Sequence, residues 1–165
     1  MTIKVGDRLP DSGFTVMGAG GPEKMTSNDI FAGKKVALFA VPGAYTPTCT
    51  EQHMPGFVSR FDELKGKGID TVACTAVNDI FVLTQFAKDT GAAGKILMLA
   101  DGNGDFAQAI GLDIDLSAFG LGLRSKRYAM LVEDGVVNVL NVEDSPPQHD
   151  KSSADTLCSM IDRSL

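Results

Sequence analysis

The sequence predicts an α/β fold on three observations: short continuous apolar runs, helical patterns between them, and turn residues at the boundaries. Residues 35–41, Lys-Val-Ala-Leu-Phe-Ala-Val, form such a run, stopped by Pro42 and Gly43. A strand apolar on both faces is one buried on both, as in the centre of a covered sheet. Residues 71–77 and 96–100 read the same way. Between them, residues 79–90 return Ile80, Leu83, Phe86 and Ala87 at helical spacing, and Gly91 supplies the stop. A short helix is expected over 105–110. Residues 113–124 show no clear periodicity and read as a long functional or interfacial loop. The runs 128–132 and 136–140 flank Glu133-Asp134-Gly135, an Asp-Gly hairpin signal that makes this pair antiparallel. Ala154, Leu157, Cys158, Ile161 and Leu165 form one apolar stripe on a C-terminal helix, with Ser152 or Ser153 as its cap.

A chain of 165 residues, 44% hydrophobic and 22% charged, has the size and composition of one globular domain over residues 1–165. Its apolar runs fall short of a membrane span. The N-terminal residues lack the basic-then-apolar order of a signal peptide and the Arg/Ser richness of a transit peptide, so a cytoplasmic location is expected. Twenty-one acids against fifteen bases give a net charge of -6, which disfavours nucleic acid and anionic membranes as partners. Three cysteines, 49, 74 and 158, contain no CxxC pair and accompany only two histidines. That pattern suits neither a disulfide scaffold nor a structural zinc site, and neither a cofactor nor a metal is expected.

The informative segment follows the strongest strand: Val41-Pro42-Gly43-Ala44-Tyr45-Thr46-Pro47-Thr48-Cys49-Thr50-Glu51-Gln52-His53-Met54-Pro55-Gly56-Phe57. Thr46 with Pro47 fits an N-cap followed by proline at the first helical position, and Thr48 with Glu51 fits a capping box. Either choice puts Cys49 in the first turn. There, backbone N–H groups and the positive end of the helix dipole favour a thiolate over a thiol, whose ordinary pKa is about 8.5. Two other readings of Cys49 compete: a buried core thiol, and half of a Cys49/His53 nucleophile pair four residues apart on a regular helix. Pro55 makes that regularity doubtful, and a histidine here reads more simply as a structural hydrogen-bonding group. The run Arg124-Ser125-Lys126-Arg127, taken alone, reads as a basic stretch on a solvated loop, although Arg127 stands just before a strand.

Pro42-x-x-x-Thr46-x-x-Cys49 resembles the active-site pattern of peroxiredoxins. The fuller Pro-Gly-Ala-Tyr-Thr-Pro-Thr-Cys and His-Met-Pro-Gly-Phe are similar to their type II, or peroxiredoxin five, branch, as are the stretches 74–82, 120–122, 125–130 and 133–137. The resemblance covers nearly the whole chain. It implies a thioredoxin-like three-layer fold, with a central mixed sheet flanked by helices, and a thiol-dependent peroxidase acting on hydrogen peroxide and organic hydroperoxides. It also implies roles: Cys49 as peroxidatic nucleophile, Thr46 as the hydroxyl that binds peroxide, Pro42 as a shield of the pocket, and Arg127 as the charged partner. Glutaredoxin with glutathione, or thioredoxin, is the implied reductant. A homodimer is implied too, with residues 112–119 and Phe81 as a candidate patch. Cys74, in an apolar strand, and Cys158, on the apolar helix stripe, read as core residues, so one cysteine and an external thiol are expected to complete the cycle. A dithiol carrier is disfavoured by the absence of CxxC. A Cys49/His53 hydrolase is disfavoured because no third residue is evident to orient His53.

Overall fold

The structure, a computed structural model, describes residues 2–145 and 147–164, without the side chains of Cys49, Glu51 and residues 162–164. It begins with a hairpin, β1 (Gly13–Gly18) and β2 (Gly21–Thr26), followed by α1 (Ser27–Phe31). None of these three was legible as an element in the sequence. The reason is burial: β2 is mostly exposed, so it carries no apolar alternation. The one local signal is a capping box, in which Thr26 Oγ1 accepts from Asp29 N and Asp29 accepts from Thr26 N.

Strand β3 (Lys35–Ala40) leads into the motif segment, which continues as α2 (Met54–Ser59) and α3 (Phe61–Gly66). Then come β4 (Thr71–Ala76), α4 (Ile80–Asp89), β5 (Leu97–Ala100) and α5 (Asp105–Ala109). Asp79 caps α4 by accepting from Val82 N at 2.8 Å, and Gly91, at φ 78°, follows its end. The region 113–124 is not the featureless loop its sequence suggests. It folds into a small antiparallel pair, β6 (Asp113–Asp115) and β7 (Leu123–Ser125), around a 3-10 turn at Ser117–Phe119. Strands of three residues are too short to show a period.

The hairpin β8 (Tyr128–Glu133) and β9 (Val136–Val142) turns through Asp134 and Gly135, both at positive φ, as an Asp-Gly turn of this length requires. Helix α6 (Ala154–Ser164) closes the chain. Its cap is Ser153, whose Oγ accepts from Thr156 N at 3.2 Å. Ser152 is engaged elsewhere.

The seven-stranded sheet has the order β2-β1-β5-β4-β3-β8-β9, with β3, β4 and β5 parallel and the remaining pairs antiparallel. It is the expected mixed sheet between two helical layers. Alternation along β3 shows why that strand is apolar throughout: Ala37, Phe39 and Val41 pack with α2, α3, α4 and α6, while Val36, Leu38 and Ala40 pack with α1 and α5. Cys74 and Cys158 are 0% and 4% exposed within the first of these cores, as the sequence suggested. Among the described residues, no helix is long and apolar enough to cross a membrane.

Candidate functional site

An aromatic cluster from β3 and α2 lies beneath the motif segment. Phe39 of β3 stacks on Phe57 of α2 at 4.0 Å between ring centroids, and His53 leans on both, at 5.0 and 5.6 Å. Above this cluster the chain leaves β3 at its carboxyl end and turns through Pro42 to Thr46. Ala44 N donates to Asn78 Oδ1 at 3.0 Å, which ties the turn to the loop before α4. Tyr45 takes φ 68°, a conformation that costs a non-glycine residue about 1 kcal/mol or more. Its hydroxyl donates to Asp89 at 2.7 Å and its ring meets the edge of Phe86, so α4 holds the strained residue in place. Gly43 is closely approached: a Cβ there would stand 2.9 Å from Nη1 of Arg124 and 3.2 Å from Thr46 Cγ2, so the arginine head and Thr46 would have to give way.

The helix begins as the Thr46-Pro47 reading expects. Thr50 N donates to Thr46 O at 3.0 Å, and Pro47 occupies the first helical position. Thr48 therefore lies inside the helix and not at its N-cap, and its Oγ1 donates to Pro147 O at 3.1 Å. From Cys49 to His53 the helix widens into a π-helical turn before α2, an irregularity often found at functional sites. The backbone of Cys49 opens this turn; its side chain lies outside the described residues.

Three of the four sequence-predicted site residues meet in one pocket of about 210 Å³. Pro42, Thr46, Pro47 and Thr48 line it from the loop and helix start, and Arg127 lines it from the residue before β8. Leu116, Leu121 and Pro147 complete a largely apolar wall. Thr46 Oγ1 donates to Gly43 O at 2.7 Å. Arg127 is only 2% exposed, which overturns the solvated-loop reading of the basic run. Arg124 does not line the pocket; its Nε donates to Leu121 O at 2.9 Å and its guanidinium packs on Gly43.

Sequence reasoning missed how Arg127 is held. Nη1 of Arg127 lies 2.9 Å from Nδ1 of His53, and Nε2 of His53 lies 3.0 Å from Ser152 O. Ser152 in turn donates from both N and Oγ to Glu143 Oε2, each at 2.6 Å. His53 is therefore a structural hydrogen-bonding residue beside Arg127 and not half of a Cys/His pair. Four-residue spacing alone could not have found this network, since Arg127, Glu143 and Ser152 come from distant parts of the chain.

Burial holds the His53 pKa well below that of a free imidazole, and the positive charge of Arg127 and the neighbouring His149 push the same way, against the Ser152 carbonyl. His149, whose ring meets that of His53 at 5.0 Å, is lowered by burial and by Arg127, against Glu143 and Asp150. Burial opposes the Glu143 charge, but hydrogen bonds from Ser152, Lys151 and Asp150 outweigh it and leave that pKa lowered.

The redoxin family pattern matches residues 4–158. Peroxiredoxin-2E, chloroplastic, of Arabidopsis thaliana is 48% identical over 160 residues, covering 94% of this chain and 68% of that protein. Peroxiredoxin-2B of the same plant is 42% identical over 160 residues, covering 96% of this chain and 98% of its own. The crystal structure of reduced Prx3 from Vibrio vulnificus in complex with hydrogen peroxide superposes with a TM-score of 0.92 at 44% identity, covering 97% and 99% of the two chains. The chain belongs to the redoxin family, within its type II peroxiredoxins. Its fold is thioredoxin-like, and its activity is thiol-dependent peroxide reduction.

The depressed histidine pKa values have a consequence for stability. A group favoured in its neutral form by folding takes up a proton more readily when unfolded, so its stabilisation is complete above the unfolded pKa of about 6.5 and is lost as pH falls below it. The chain's only two histidines are His53 and His149, both lowered, and the carboxylates with lowered pKa lose their contributions only at more acid pH. Urea unfolding should therefore show stability falling between about pH 6.5 and pH 5, approaching about 1.4 kcal/mol per pH unit for His53. A flat profile across that interval would contradict the neutral assignment.

Proposed function

We propose that Cys49 is the peroxidatic nucleophile, Thr46 and Arg127 the groups that bind and polarise the hydroperoxide, and Pro42 the residue that shields the pocket. The observation that carries the proposal is the convergence of Pro42, Thr46 and Arg127 on one pocket at the start of the helix bearing Cys49. The thiolate of Cys49 attacks one peroxide oxygen; an S–O bond forms as the O–O bond breaks, and the leaving oxygen departs as water or alcohol after taking a proton. Negative charge builds on that oxygen, and a guanidinium stabilises it without losing its own proton. Thr46, with its hydroxyl proton given to Gly43, offers oxygen lone pairs that suit the O–H of a hydroperoxide. The apolar wall from Leu116, Leu121 and Pro147 suits the carbon chain of an organic hydroperoxide.

The resulting sulfenic acid is reduced by an external thiol, glutaredoxin with glutathione or thioredoxin, with no second cysteine of the chain required. Burial supports this. Cys74 is fully buried, and burial raises the Cys158 thiol to about 11, where little thiolate exists near neutral pH. A homodimer is part of the same proposal. Phe81 and Phe119, 65% and 77% exposed, are apolar surface that a second copy would cover, whereas Leu112 and Leu116 are core residues and cannot join that patch.

Cys49→Ser should abolish peroxidase turnover with the fold retained, because a hydroxyl is a far poorer nucleophile near neutral pH. The Cys74→Ser/Cys158→Ser double variant should keep turnover within about threefold of wild type with its best reductant. A Cys49–Cys158 disulfide found by peptide mapping of the oxidised protein, with turnover lost in Cys158→Ser, would show the one-cysteine cycle to be wrong. Arg127→Met should lower the thiolate fraction of Cys49 near pH 7 by about tenfold and slow its reaction with peroxide. Thiolate absorbance against pH measures the first effect, and an unchanged curve would remove Arg127 from that role.

A further inference from the structure

Arg127 touches the pocket with one side and the His53 ring with another, and the chemistry of those contacts admits one state of the imidazole. A guanidinium has donors only, so the nitrogen facing Nη1 at 2.9 Å, Nδ1, must present a lone pair. A peptide carbonyl has lone pairs only, so the nitrogen facing Ser152 O at 3.0 Å, Nε2, must carry the proton. The two requirements agree: His53 is neutral and protonated on Nε2. An imidazolium would set N–H against N–H, and the other tautomer would fail at both contacts.

We propose that His53 is a positioning residue of the peroxidase, which keeps the Arg127 guanidinium aimed into the pocket by accepting its hydrogen bond as the neutral Nε2–H tautomer. The Ser152 carbonyl selects this tautomer, and Glu143 clamps Ser152 through its N and Oγ. The ring has little freedom to leave its place. Phe39 of β3 and Phe57 of α2 pack on it from the sheet and the helix, and His149 closes from the loop before α6. Among the described residues, the titratable or charged groups facing this cluster are Arg127 and His149, with Glu143 behind Ser152 and Asp150 and Asp155 acting on His149. The stacked rings supply none. His53 is fully buried, so an apolar replacement would leave a charged donor without this acceptor in a place water does not reach.

The role differs from nucleophile activation. Peroxide reduction needs the guanidinium in a set position relative to the breaking O–O bond, whereas alkylation of the same thiolate by iodoacetamide does not. Misplacing Arg127 should therefore slow the first reaction more than the second. The inference rests on the peroxidase reading of the pocket, but its first test needs no peroxide.

In reduced wild-type protein labelled with nitrogen-15, the His53 ring shifts at about pH 6 should report the neutral Nε2–H tautomer; an imidazolium or an Nδ1–H tautomer would overturn the assignment while leaving the peroxidase reading intact. The second test compares His53→Leu with His53→Gln, whose amide can accept from Arg127 and donate to Ser152. His53→Leu should lose about tenfold or more in the rate of Cys49 with hydrogen peroxide, while iodoacetamide alkylation, compared at equal thiolate fraction, stays within about twofold. His53→Gln should recover the peroxide rate to within about threefold of wild type. Equal losses in both reactions, a wild-type peroxide rate in His53→Leu, or no recovery in His53→Gln would each overturn the proposal. Should His53→Leu fail to fold, a more than tenfold peroxide loss in folded His53→Gln would do the same. A wild-type Cys49 unreactive toward peroxide would instead refute the peroxidase reading itself.

Discussion

A guanidinium keeps its proton at any physiological pH, and in this protein one is almost wholly buried. Burying such a charge costs several kcal/mol unless polar partners surround it. The neighbourhood of Arg127 is organised around that constraint. Its side chain meets the lone pair of His53, and its carbonyl accepts from Glu143 N at 3.0 Å, continuing the β8–β9 ladder by one residue. The same two residues anchor the next layer, since His53 binds Ser152 and Glu143 binds Ser152. One permanent charge thus connects the carboxyl end of β3, the π-helical turn, the start of β8 and the loop before α6.

The sheet makes this arrangement possible. β3 lies between β4 and β8, paired parallel on one side and antiparallel on the other. Parallel pairing puts the ends of β3 and β4 at one edge, so the Pro42–Thr46 turn can be tied by Asn78, which follows β4. Antiparallel pairing brings the start of β8 to that same edge, and with it Arg127: Ala40 pairs with Tyr128. The helix start that carries Cys49 and the arginine, separated by nearly half the chain, become neighbours because of one mixed junction in the sheet. The strain at Tyr45 is confined to this edge, where contacts from α4 hold it.

Dynamics and chemistry pull on the same segment in opposite directions. In the proposed cycle, Cys49 first meets a small peroxide in a fixed pocket and later an external thiol. The contacts of the π-helical turn are of two kinds. Its far end, at His53, is buried among aromatic rings, while Thr48, before it, donates an exposed hydrogen bond to Pro147. Local opening follows the weaker contacts, so the helix start and the loop that carries Pro147 are the part of the site that can yield without disturbing the His53–Arg127 contact.

Much of this protein was legible in its residues. The central strands announced themselves as continuous apolar runs, the Asp134-Gly135 turn as a hairpin, and the Thr46-Pro47 pair as a helix start that puts Cys49 in the first turn. The motif Pro42-x-x-x-Thr46-x-x-Cys49 named the chemistry. Local signals suffice for such features because they depend on the period of burial and on the backbone preferences of a few adjacent residues. The mostly exposed edge strand β2 and the three-residue strands β6 and β7 gave no such signal, since an exposed edge strand or a very short one imposes no apolar pattern. His53 read as a hydrogen-bonding residue without named partners, and Arg127 looked by composition like one charge in a solvated run. Only the tertiary structure decided both, because burial and hydrogen-bond partnership belong to the packing of distant segments. His53, Arg127, Glu143 and Ser152 acquire their roles when a mixed sheet brings four parts of the chain to one edge, a relation that no local spacing encodes.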